Sequence, residues 1–270
     1  MVFKKFLDFY INSSLHVALS AFALVSMTQY FFGVERDFSV AFFAFFGTVV
    51  GYNFVKYDAI ARLNKTELKK ELKGIVFLSF ISLLACFYFF LQLSWMTKIS
   101  AFAFFGLTLL YTLPFFPNKQ NARNWKGVKI YIVAITWVGV TVLLPLQEAQ
   151  ISFSFDVLLM AIQRFLLVFS LVLVFEIVDV KLDDPHLQTV PQKIGVEPTK
   201  KLGYVLLFLL LLLEFFYTNN HHFLPLFFKL LVCGTIAVFL YFANENRSRY
   251  YASFWVESVP ILWWLVLVVF

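Results

Sequence analysis

Nine apolar runs of about twenty residues fill almost the whole chain and leave it few ways to fold. They are Ser13–Phe32, Phe38–Tyr57, Gly74–Leu93, Thr97–Phe116, Val128–Gln147, Phe155–Val178, Leu202–Tyr217, Phe223–Ala243 and Tyr251–Phe270. Each is long enough to cross a hydrocarbon layer as a helix. The runs are continuous rather than alternating, which favours helices over a barrel. Of the 270 residues, 61% are hydrophobic and only 14% are charged. Soluble domains hold about 45–50% apolar and about 25% charged residues. No soluble fold can cover so much apolar surface, whereas lipid solvates it directly. The expected class is therefore all-α: one polytopic membrane domain over residues 1–270 with nine transmembrane helices.

The connections give that bundle an orientation. Lys4 and Lys5 precede the first run. Arg62, Lys65, Lys69, Lys70 and Lys73 follow the second, and Lys119, Arg123, Lys126 and Lys129 the fourth. Lys181, Lys193, Lys200 and Lys201 follow the sixth, and Arg247 and Arg249 the eighth. The opposite side has only Arg36 and Lys98. The positive-inside rule puts the N-terminus in the cytoplasm and the C-terminus outside, in a multi-pass protein of the cell (inner) membrane. The net charge of +6 is a topology signal spread over separate loops, and it argues against nucleic-acid binding. No cleavable signal pattern is expected, because the first run is too long and aromatic. Cys86 and Cys233 lie in apolar runs and read as small buried hydrophobes.

Chemistry concentrates after the sixth run, in Glu176-Ile-Val-Asp179-Val-Lys-Leu-Asp183-Asp184. Continued as a helix, positions 176, 179 and 183 stand at i, i+3 and i+7 and share one face. Carboxylates at a membrane surface suit Mg2+, which usually brings a phosphate with it. Pro185 and Pro191 then build a loop. At the end of the second run, Asn53 and Lys56 lie one turn apart. Asn53 suits either a pocket or an interhelical hydrogen bond.

Three stretches carry a family resemblance. Glu176, Asp179 and Asp183, followed by Thr189-Val190-Pro191, resemble the D-x-x-D-x-x-x-D and T-x-P elements of the UbiA family of intramembrane prenyltransferases, with Glu176 where aspartate is usual. Tyr111-Thr-Leu-Pro resembles that family's helix-four exit, and Asn53 stands where its first aspartate-rich motif begins. The chain departs from that first motif at Phe54, Tyr57 and Ala61, where aspartates are usual; Asp58 is one position off.

The resemblance implies nine helices around a central cavity open to the cytoplasmic side. It implies Mg2+-dependent transfer of a prenyl group from a prenyl diphosphate to an aromatic or lipid acceptor. Asp179, Asp183 and Asn53 would be catalytic, with Glu176, Asp179 and Asp183 on the metal. Lys56, Tyr57, Tyr111, Lys119, Arg123 and Lys126 would bind substrate. Two other readings stand beside this one: an inactive relative that binds isoprenoid or lipid, and a transporter. Arg164, Glu214 and Lys229 fall in outer halves of their runs, where an ion pair or snorkelling is expected. Glu257 lies about two turns into the last run and suits a cavity or a polar neighbour equally. His221 and His222 read as exposed loop residues.

Overall fold

A computed structural model of the chain describes residues 2–35, 38–63, 70–113, 125–218 and 223–269, without the side chains of 2–3, 58–63, 70–71 and 223–225. Every described regular element is helical, and each of the nine apolar runs is helical among the described residues. The helices are α1 (Val2–Asn12), α2 (Leu15–Phe31), α3 (Phe38–Leu63), α4 (Lys70–Gln92), α5 (Trp95–Thr112) and α6 (Lys129–Val138). Then come α7 (Leu144–Glu148), α8 (Phe155–Val178), α9 (Val190–Ile194), α10 (Val196–Leu212), α11 (Phe223–Phe242) and α12 (Ser258–Val269). A π-helical turn, Gly139–Leu143, joins α6 to α7, and another, Tyr251–Val256, leads into α12.

By length and composition, five helical segments can cross a membrane: Phe38–Tyr57, Leu72–Gln92, Lys129–Glu148, Phe155–Val178 and Tyr251–Val269. A sixth is possible if α1 and α2, bent by 58°, count as one span. The remaining apolar helices are shorter or carry more polar residues. In α5, for example, Trp95, Lys98, Thr108 and Thr112 dilute a helix of 18 residues.

The core centres on α8. Leu173, Val174 and Ile177 are fully enclosed and pack with Ile236 and Leu240 of α11 and with Val256. Two-thirds of the apolar stretch of α8 is buried, against 11% for α4, which displays Phe77, Phe80, Phe87 and Tyr88 outward. Helices gain little from hiding apolar surface from lipid, so close contact at small residues matters more. At Gly203 an added Cβ would lie 2.6 Å from Leu240 Cδ1, and at Gly139 it would lie 2.2 Å from the Phe104 ring.

The connections sort to two ends. At one end Arg249 pairs with Asp8 at 2.9 Å, Lys181 with Glu245 at 2.8 Å and Lys129 with Asp183 at 3.5 Å. At the other, Ser39 donates to Gln92 at 2.8 Å, the Glu148 carboxylate accepts the Ser94 N–H at 3.0 Å, and Asp156 accepts the Thr218 hydroxyl at 2.6 Å. The basic connections described thus meet at one end of the bundle.

Candidate functional site

The expected single face of Glu176, Asp179 and Asp183 does not form. Helix α8 stops at Val178, and the Asp179 carbonyl accepts the N–H groups of both Leu182 and Asp183 at 2.8 Å, winding the chain into a turn. Pro185 bars a longer helix, having no N–H to continue the ladder. Glu176 is consequently 2% exposed, and its Oε2 accepts the Val190 N–H at 2.9 Å. That carboxylate caps the start of α9 and still lies within electrostatic reach of Asp183 and Lys129.

The loop from Asp179 to Thr189 is fixed from within. Gln192 donates to the Asp183 carbonyl at 3.1 Å and accepts the Thr189 N–H at 3.0 Å. Asp184 Oδ1 accepts the His186 N–H at 2.9 Å. Gly127, at φ +70°, donates its N–H to the Leu187 carbonyl at 3.0 Å and so docks the loop on the approach to α6. This places Lys129, the first residue of α6, 3.5 Å from Asp183 Oδ2. Asp183 Oδ2 is enclosed without a hydrogen-bond partner among the described residues. Burial, and then the nearby Asp183 charge, hold the Asp179 carboxyl above its ordinary range.

No group of three or more His, Cys, Asp or Glu residues among those described is arranged to hold a metal ion. Asp179 and Asp183, with one orphaned oxygen between a carboxylate neighbour and an ammonium, fit a Mg2+ held by two carboxylates. Mg2+ commonly takes only one or two carboxylates and completes its shell with phosphate and water.

The residues around the first motif do different work. On one face of α3, at i, i+3 and i+4, Asn53, Lys56 and Tyr57 grip the junction between α1 and α2. Asn53 Nδ2 donates to the Ser13 carbonyl at 3.0 Å and to Ser79 Oγ at 2.9 Å. Lys56 Nζ donates to Ser14 Oγ at 3.0 Å, and Tyr57 donates to the Asn12 carbonyl at 3.0 Å. The junction needs these partners: Ser14 sits at φ +62°, and the Asn12 and Ser13 carbonyls take their donors from α3. Phe54, at a position where the resembled motif has aspartate, is 38% exposed. Tyr111 is buried at the end of α5, and Lys126 is exposed. Lys119 and Arg123 lie outside the described residues, as do the side chain of Asp58 and the loop histidines His221 and His222.

Sequence reasoning did not single out Lys129 or the polar cluster around His16, whereas in a second cluster inside the bundle it expected an ion pair. In the first, His16 bonds Tyr10 Oη at 2.9 Å, Ser258 Oγ at 3.1 Å and the Phe254 carbonyl at 2.9 Å. Glu257 and Lys56 lie beside it and feel each other's charge. In the second, Glu214 pairs with Lys229, and Gln163 bonds both, at 3.0 and 3.2 Å. Arg164 stays out of that expected pair. It donates to the Leu24 carbonyl and Thr141 Oγ1 at 3.1 Å and to Thr28 Oγ1 at 3.2 Å, all neutral acceptors.

No family model, curated protein or solved structure matches the chain.

Proposed function

We propose that this chain is a UbiA-like intramembrane prenyltransferase that moves a prenyl group from a prenyl diphosphate to an aromatic or lipid acceptor. The observation that carries the reading is the pair Asp179 and Asp183 beside Lys129, with Asp183 Oδ2 enclosed and without a hydrogen bond. An acidic pair that keeps an unspent oxygen next to an ammonium suits a divalent cation with a diphosphate attached. Mg2+ bound at Asp179 and Asp183 would neutralise charge on the departing pyrophosphate.

The chain's own groups would do the rest. Lys129 donates to diphosphate oxygens, because an ammonium at the start of α6 faces the acidic loop already. Glu176 fixes the loop by capping α9, and so holds the two aspartates in place. Helix α6 continues two turns deeper, by about 12 Å, to Trp137, whose Nε1 donates to Tyr52 Oη at 3.0 Å. A central cavity running from the acidic loop to these rings would give the prenyl chain an aromatic wall. Nine membrane spans with the basic connections in the cytoplasm complete the proposed architecture.

A second reading has its own support. Asn53 and Tyr57 are committed to the α1–α2 junction, and Phe54 replaces an acid, so a relative that binds isoprenoid without turnover fits the same arrangement. One assay separates the two. The purified protein is given farnesyl or geranylgeranyl diphosphate, Mg2+ and a panel of quinone-precursor acceptors. Pyrophosphate release is expected, with a fall of roughly 10²-fold or more in Asp179→Asn/Asp183→Asn. Binding without release supports the inactive relative. Neither binding nor release ends both readings.

A further inference from the structure

The cluster between α2, α3 and the π-turn before α12 holds two opposite charges that do not meet. Glu257 is half-buried inside the last helical segment, and Lys56 projects from α3 with accessible surface. Both lie against α2, Lys56 through Ser14 Oγ and Glu257 through its carbonyl, which accepts the Ser20 hydroxyl, yet no salt bridge within 4.0 Å joins them. Lys56 is held back by Ser14 Oγ, and the Glu257 carboxylate has no hydrogen bond to any described residue. In a medium of low dielectric, unlike charges gain strongly by closing such a gap. Keeping them apart is costly unless something polar fits between them. One turn from Lys56, Asn53 is 4% exposed, and its Oδ1 has no partner. That is a second unspent acceptor on the same side of α3 as the ammonium.

We propose that Glu257, Asn53 and Lys56 form a subsite for a zwitterionic group, with its ammonium on Glu257 and Asn53 Oδ1 and its anionic end on Lys56 and Ser14. Neither charge alone explains both side chains. A cation would face Lys56, and an anion would face Glu257. A zwitterion satisfies the two together and leaves the site neutral, which is what a membrane interior demands. The site uses none of the residues of the acidic loop and needs neither Mg2+ nor a diphosphate.

Two sources carry this chemistry, an aminophospholipid head group and a free amino acid. The test uses the purified full chain without Mg2+. Retention of phosphatidylethanolamine is measured by native mass spectrometry against phosphatidylglycerol, which lacks the ammonium. Uptake of free leucine and of phosphoethanolamine is measured by equilibrium dialysis. Preferential retention of phosphatidylethanolamine, falling at least tenfold in Glu257→Gln, supports the lipid source. Saturable binding of leucine or phosphoethanolamine that falls in the same variant supports the soluble source. Glu257→Asp should keep part of the binding in either case. Equal retention of phosphatidylglycerol by the wild-type chain, with no soluble zwitterion bound, overturns the proposal even if the variants fail to fold. Unchanged binding in a folded Glu257→Gln protein overturns it as well. Failure of the diphosphate assay leaves these outcomes untouched.

Discussion

Lys229 and Glu214 are 4% and 6% exposed, and they are paired with each other. Gln163 bridges them, and Tyr217 donates to Gln163 Oε1 at 3.1 Å, so the pair sits in a closed polar network. Removing one partner strands a buried charge, which costs about 3–5 kcal/mol, whereas removing both together is close to neutral. Lys229→Ala is therefore expected to destabilise the purified protein by about that amount in thermal unfolding. Lys229→Met with Glu214→Met should fall within about 1 kcal/mol of the wild type. An additive loss in the double variant would contradict this account. The pairing of Glu214 with Lys229 was legible from sequence, since two unlike charges in facing apolar runs seldom stand alone. The separation of Arg164 from them was not. Its partners are hydroxyls and a carbonyl on α2 and the π-turn, and nothing in the spacing of residues marks those.

At the scale of elements, the apolar runs predicted where helices lie, because lipid forces the backbone to satisfy itself locally. The same logic failed at the end of α8. A periodic set of carboxylates looked like one helical face, but the turn around the Asp179 carbonyl diverts Asp183 and leaves Glu176 to cap α9. Caps and turns depend on which N–H groups lack partners in three dimensions, and periodicity does not carry that information. The α1–α2 bend escaped notice for a similar reason: α3 supplies the donors that make it tolerable. Packing of α10 on α11 offers a direct test. Gly203 lets Leu240, which is fully buried, sit against the α10 backbone. Gly203→Ala is expected to cost about 1–3 kcal/mol, as overpacking usually does. Leu240→Ala in the same chain should recover part of that loss by opening the space. Equal stability of Gly203→Ala and wild type would show that the crossing is looser than described.

At the scale of the whole molecule, the sorting of connections predicts sidedness. In a cysteine-free background, Lys5→Cys and Lys181→Cys should react with a membrane-impermeant maleimide from the same side of sealed vesicles. Phe153→Cys, 73% exposed in the connection between α7 and α8, should react only from the other side. Labelling of positions 153 and 181 from one side would overturn the proposed topology. Helix α4 is the most lipid-facing long element and leans on the bundle mainly through α3, while α8 is enclosed nearly all round. Both carry similarly apolar sequences, so mean hydropathy did not distinguish the central helix from the peripheral one. What separates them is the polar inventory: Gln163, Arg164, Ser170 and Glu176 all lie on α8, and buried polar groups need protein partners rather than lipid.

Arg164 gives the bundle an electrical property. The Glu214–Lys229 pair is neutral as a unit, and the acceptors around the guanidinium carry no charge. The Arg164 charge therefore stands without a carboxylate partner among its hydrogen bonds, twelve residues and about 18 Å along α8 from Glu176. A fixed cation in a low-dielectric wall repels protons and metal cations, as it does at the narrow point of a selective pore. A bundle with the proposed cavity at its acidic-loop end would thus admit polar ligands without becoming a leak for the ion gradients that the membrane maintains.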